Sequence, residues 1–174
     1  MIATEWYMIV FRLIHILAGV IWVGSVFLFT IFVQPSAAAI APAGAPFMAE
    51  ILGKRKVIDR IIGAATATIV AGLFIYWHDW HTYSSFGTFV KSRFGLALTI
   101  GALCAMFAYL IGVFGTRPNV QRVLALSAQI AGGSPPAGAA EEVRQLQALL
   151  PKLARASLAL LIVAVVAMST ARYL

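Results

Sequence analysis

FRLIHILAGVIWVG, residues 11–24, is apolar enough to lie in a lipid bilayer, yet it carries Arg12 and His15 three residues apart. The chain around it has 174 residues, 61% of them hydrophobic and 11% charged, and a mean hydropathy of +0.92. That balance belongs to membrane proteins rather than soluble domains. A hydrocarbon core of about 30 Å takes about 20 apolar helical residues to cross, and the stretches 6–33, 57–80, 94–115 and 153–173 each reach that length. The expectation is an all-α integral membrane protein, a four-helix transmembrane bundle that forms a single domain over residues 1–174.

Charge sets the expected orientation. With 13 Lys and Arg against 6 Asp and Glu the formal charge is +7, and in a membrane protein basic residues report topology before they report nucleic acid. Lys54, Arg55, Lys56, Arg60, Arg117, Arg122, Arg144, Lys152 and Arg155 fall on one side of the four spans, and Lys91, Arg93, Arg172 and the intrahelical Arg12 fall toward the other. The richer side is assigned to the cytoplasm and both termini to the outside, and nucleic acid is excluded as a partner. The first span lacks a basic leader and a small-residue cleavage site, so it reads as a retained helix and not a signal peptide. The single cysteine, Cys104, lies inside the third span, which excludes an intrachain disulfide and a cysteine metal cluster.

Between the spans, Gln34-Pro35 marks the expected end of helix one, and PSAAAIAPAGAP reads as a loop. FMAEILGKRKVIDR then reads as a short interfacial helix. The Trp and Tyr of YWHDWHTY, residues 76–83, mark the outer interface. Gly95, Gly101, Ala105 and Gly112 give helix three a small-residue face on which a neighbour can pack closely. Residues 117–150 read as a cytoplasmic helical hairpin, with Thr116 as a cap before Pro118 and Glu141 and Glu142 in the first turn of its second arm.

Steps of three and four from Glu5 gather Met8, Arg12, His15, Gly19, Trp22, Val26 and Phe29 on one face of helix one. Charged side chains at membrane depth cost several kcal/mol and face a bundle interior or a wet cavity. Arg12 has two readings: it snorkels to the interface or pairs with Glu5, or it holds an anionic group. His15 lies about 9 Å below the edge if hydrocarbon begins near Ile9, too deep for an imidazole to snorkel. It either donates to a carbonyl or hydroxyl of a neighbouring helix or ligates a metal. His78 and His81 end helix two on the same side, at i and i+3. They are interfacial anchors or further ligands, since imidazole binds copper, zinc and haem iron. Met168 has a depth comparable to His15 and is a candidate soft ligand beside its ordinary packing role. Phosphate-loop, HExxH, GxSxG and paired-cysteine motifs are absent from the sequence.

Arg12-Leu13-Ile14-His15, with Trp22 one heptad after the histidine and Gly24 beyond it, resembles the first helix of the copper-resistance protein D (CopD) group and of the HemJ-type protoporphyrinogen oxidases. The FVQP that follows and the four-helix size look like the small membrane proteins related to the CopD domain. The resemblance is specific over about 14 residues and loose over helices two to four. It implies a bacterial inner (plasma) membrane bundle with copper handling on the CopD side and haem b chemistry on the HemJ side, and it carries over His15 as the ligand. This chain reads FLFTIFVQP where HemJ-type enzymes carry a Leu-Pro-Arg element, and it offers no intrahelical lysine to match their second ligand.

The expected function is therefore a redox-active centre, haem b or copper, in a periplasm-facing pocket around His15. Arg12 binds its anionic group, Trp22 and Gly19 form the floor, and His78, His81 and Met168 are candidate ligands. The alternative is a cofactor-free assembly subunit of a larger membrane complex. Lipid is the expected surroundings, and a homodimer or a membrane complex the expected assembly.

Overall fold

The computed structural model describes residues 6–174, and the regular structure among them is helical. Four helices are long and apolar enough to cross a membrane: α1 (Trp6–Ala39), α2 (Val57–Trp80), α3 (Arg93–Ala131) and α4 (Ala139–Tyr173). Cross-helix contacts fix their order. His15 meets Thr68 and Tyr7 meets His78 across α1 and α2. Tyr76 meets Thr99, Thr66 meets Tyr109 and Asp59 meets Arg117 across α2 and α3. Gly101 lies against Met168 and Gly115 against Leu153 across α3 and α4. Rising residue numbers meet falling ones in each pair, so neighbours run antiparallel. The ring closes where α4 packs back on α1, leaving one terminal end and one hairpin end.

The core is built from small residues. Trp22 is buried with Ala65, Ala105, Ala108, Leu161 and Ala164, a set that lets backbones approach where hydrocarbon supplies no hydrophobic drive between helices. The outer faces are apolar, with Leu17 and Val20 of α1 63% and 67% exposed. This is the surface that lipid tails would cover. Two threonine hydroxyls of α2 and α3 are satisfied within their own helices. Thr99 donates to the Gly95 carbonyl at 2.6 Å, which leaves Tyr76 as the donor in its 2.7 Å bond to Thr99. Thr66 likewise donates to Ile62, so Tyr109 donates to Thr66.

Three helix ends differ from the expected bounds. α1 runs past Gln34-Pro35 to Ala39, and α3 runs past Thr116 and Pro118 to Ala131. Each does so through one wide π turn, Phe29–Val33 and Ile111–Thr116. There the N–H groups of Gln34 and Arg117 reach carbonyls five residues back, on Phe29 and Gly112. A proline lacks the donor for a regular bond and its ring collides with the carbonyl four residues back. Widening the turn just before Pro35 and Pro118 lets the helix continue. Thr116 is itself helical and makes no cap bond. α4 begins at Ala139 and holds Pro151 within its length, so the hairpin arms are extensions of the spans, joined by the turn at Gly132–Gly138.

The remaining links follow local chemistry. Gly44–Ala49 is a short helix that runs into a π turn at Glu50–Lys54. Lys56 then takes a left-handed conformation, φ 49°, and redirects the chain into α2. At the terminal end, Ser85 caps the short helix Phe86–Lys91 and Ser92 caps α3, each hydroxyl accepting a backbone N–H three residues on. Phe89 is fully buried beneath Tyr76, Tyr83 and Phe94, which plugs that end of the bundle.

Candidate functional site at the α1–α2 seam

The polar stripe of α1 faces α2. His15 is half-buried, with Nδ1 2.9 Å from the Thr68 carbonyl oxygen. A carbonyl only accepts, so Nδ1 carries a proton, and in the neutral ring Nε2 keeps its lone pair. The ring fits because residue 72 is glycine: a Cβ there would stand 2.8 Å from Cε1 and 2.9 Å from Nδ1. One turn deeper, Gly19 faces Thr68, whose methyl would be in ordinary contact, at 3.6 Å, with a Cβ at residue 19. Thr68 returns its own hydroxyl to the Ala64 carbonyl. Across this seam run the His15–Thr68 bond, the Tyr7–His78 bond and the stacked rings of Phe11 and Phe74, and Gly72 supplies the space that the His15 ring fills.

The other sequence-derived candidates are spread along the bundle. His78 Nδ1 lies 3.0 Å from the Tyr7 hydroxyl, with the rings edge to face. It is six residues beyond Gly72, about 9 Å farther toward the terminal end. His81 turns back on its own helix, donating to the Trp77 carbonyl at 2.7 Å and packing against Trp77 and Trp80. Met168 packs over Gly101 at the α3–α4 interface. Trp22 lies seven residues, about 10 Å, deeper than His15, and lines a cavity together with Gln34 and Thr116 from nearer the hairpin end. A single centre ligated jointly by His15, His78, His81 and Met168 is thus not assembled. Among the described residues, no three His, Cys, Asp or Glu side chains gather as a metal site.

Arg12 is exposed on α1, and its charge acts on the Asp79 carboxylate of α2. Glu5, its other expected partner, lies outside the described residues. Tyr7 and Thr68 are the site members that the histidine pattern alone does not reveal. The antiparallel register that sets His15 against Gly72 also sets Gly19 against Thr68 and brings Tyr7 within two residues of His78.

A haem can take a single axial imidazole from the protein, whereas copper needs two or more side-chain donors around one point. A metal-binding histidine usually donates its second ring N–H to a carbonyl or carboxylate, and His15 does so. Comparison with protein-family models, curated proteins and solved structures gives no match.

Proposed function

We propose that this chain is a multi-pass protein of the bacterial inner membrane, with periplasmic termini, that holds a haem b against the α1–α2 seam through Nε2 of His15. The observation that carries the reading is the Nδ1–H bond from His15 to the Thr68 carbonyl, which orients the ring and leaves its other nitrogen free. Arg12, three residues toward the terminal end on the same face, would pair with a propionate. His78 and His81 lie at other levels of α2 and belong to the rim. Bound haem b would supply one-electron transfer. The resemblance of residues 11–24 to CopD and HemJ-type first helices supports the same site, and copper handling is the reading kept for a protein that purifies with copper instead.

A second reading rests on the same bond. A neutral histidine that donates to a neighbouring carbonyl and nests on a glycine is already a complete interhelical fastener, which suits a cofactor-free subunit of a larger membrane complex. Optical spectra of the oxidised and reduced protein, purified in mild detergent from haem-sufficient cells, separate the two. Bands that shift on reduction uphold the haem reading. A colourless, metal-free preparation with a stoichiometric partner by native mass spectrometry replaces it with the subunit.

A further inference from the structure

Charge at the hairpin end is unevenly matched. Its acids are each taken: Glu50 pairs with Lys54 and Arg55, Asp59 with Arg117, Glu141 with Arg144 and Glu142 with Arg122. Lys56, Arg60, Lys152 and Arg155 are exposed and pair with no carboxylate among the described residues. These cations share one level of the bundle. The Asp59–Arg117 bond sets the start of α2 beside α3, and Gly115 of α3 lies against Leu153 of α4. Ile58, between Lys56 and Arg60 in the sequence, and Ala154, between Lys152 and Arg155, line the same cavity.

That level is the edge of the apolar spans. The next Asp, Glu, Lys or Arg after Arg60 on α2 is Asp79, about 28 Å along the helix, and the next after Arg155 on α4 is Arg172, about 25 Å along. Both lengths approach the hydrocarbon thickness of about 30 Å, so the cations stand where lipid phosphates lie, on stems long enough to reach them. We infer that the collar of Lys56, Arg60, Lys152 and Arg155 binds the phosphates of anionic phospholipids in preference to zwitterionic ones. The inference rests on the reading of the four helices as membrane spans and is independent of any cofactor at His15 and of which end faces the cytoplasm. A zwitterionic headgroup brings its own cation to each phosphate and leaves the collar unanswered, whereas phosphatidylglycerol brings a net negative charge.

The test is native mass spectrometry of the full chain in detergent, titrated with phosphatidylglycerol or with phosphatidylcholine of the same acyl chains. The parent chain should hold phosphatidylglycerol at least about tenfold more tightly, since a basic residue at a membrane surface contributes about fivefold. High ammonium acetate should shrink the preference. Arg60→Gln with Arg155→Gln should reduce it to about twofold or less, whereas Lys54→Gln with Arg144→Gln, which removes the same charge from residues already paired, should leave it within about twofold of the parent. Lys56→Gly removes a cation where φ is 49°, a conformation that suits glycine. It should lower the preference about two- to fivefold while the helical circular dichroism and the thermal midpoint hold. Equal retention of both lipids by the parent chain, equal losses in the two double variants, or a folded collar variant with the parent's preference would each overturn the proposal and leave the membrane reading in place. A chain that takes up neither lipid and stays monodisperse once detergent is removed would overturn the membrane reading as well.

Discussion

The imidazole of His15 occupies the volume that a Cβ on Gly72 would need, at 2.8 Å from Cε1 and 2.9 Å from Nδ1. Gly72→Ala should turn the ring off the Thr68 carbonyl and destabilise the bundle by about 1–2 kcal/mol, the sum of mild overpacking and one lost interhelical bond. In a His15→Ala background the clash is gone. The same substitution should there be neutral or stabilising by up to about 1 kcal/mol, because alanine is the better helix former. Thermal unfolding of the four proteins measures the coupling. An equal cost of Gly72→Ala in both backgrounds would show that the ring does not sit on residue 72.

Gly101 sets the closeness of α3 and α4 in a stiffer way. A Cβ there would lie 2.7 Å from Met168 Cγ and 3.2 Å from the Ala164 carbonyl, so backbone as well as side chain must yield. Gly101→Ala should therefore cost more than Gly72→Ala, about 2–3 kcal/mol. Met168→Ala in the same chain should recover only part of that loss, since the carbonyl contact remains. Met168→Leu should leave any reduced-minus-oxidised spectrum unchanged. A spectral shift in Met168→Leu would bring the thioether back as a ligand.

The four spans are legible from hydropathy because length and apolarity alone specify them, and Val57–Trp80 coincides with its expected bounds. The extensions of α1 and α3 are less legible, since proline announces a stop and its accommodation by a π turn depends on backbone geometry. His15 stands out as a deep polar residue on an apolar helix. Its partner is a main-chain carbonyl, which any residue at position 68 could supply, so composition cannot point to it. The levels of His78 and Met168 relative to His15 follow from helix register and rotation, and counting from the membrane edge fixes depth without fixing which neighbour a side chain faces. The Ser157 hydroxyl, buried without a hydrogen-bond partner among the described residues, carries no sequence signature, because the same residue type elsewhere in a helix simply bonds back to its own turn.

The hairpin arms are clasped outside the apolar spans by Arg122, which donates from Nε and from its terminal nitrogen to the two Glu142 oxygens at 2.7 and 2.9 Å. The Arg122 hydrogen bond is the main cause that lowers the Glu142 pKa, against a smaller opposing effect of desolvation. A carboxylate whose folded pKa lies below its unfolded value of about 4.3 stabilises above that value and loses the contribution as pH falls through the folded pKa. The thermal midpoint should therefore drop between pH 5 and about pH 3 more in the parent chain than in Glu142→Gln. Both groups are exposed, so high salt should shrink the difference. Parallel pH profiles for the two proteins at low salt would remove the clasp from the account of hairpin stability.

Tyr7 and His78 make the contact that decides whether a second imidazole is free to ligate. The phenol oxygen lies 3.0 Å from Nδ1 with the rings 76° apart, and either group can supply the proton. If Tyr7 donates, His78 carries its proton on Nε2 and has no lone pair left there. A phenol is a better donor than acceptor, so the Nε2–H form is expected for His78, opposite to the Nδ1–H form that the Thr68 carbonyl imposes on His15. Nitrogen-15 NMR of histidine-labelled protein without added cofactor should show both tautomers at neutral pH. Tyr7→Phe should release His78 to a mixture, leave the His15 signals in place, and cost no more than about 1 kcal/mol. An Nε2–H signal for His15 would contradict its bond to Thr68, and with it the orientation that leaves its outer nitrogen free for iron. An Nδ1–H signal for His78 would mean that Tyr7 accepts, and would restore this second imidazole as a ligand at the rim.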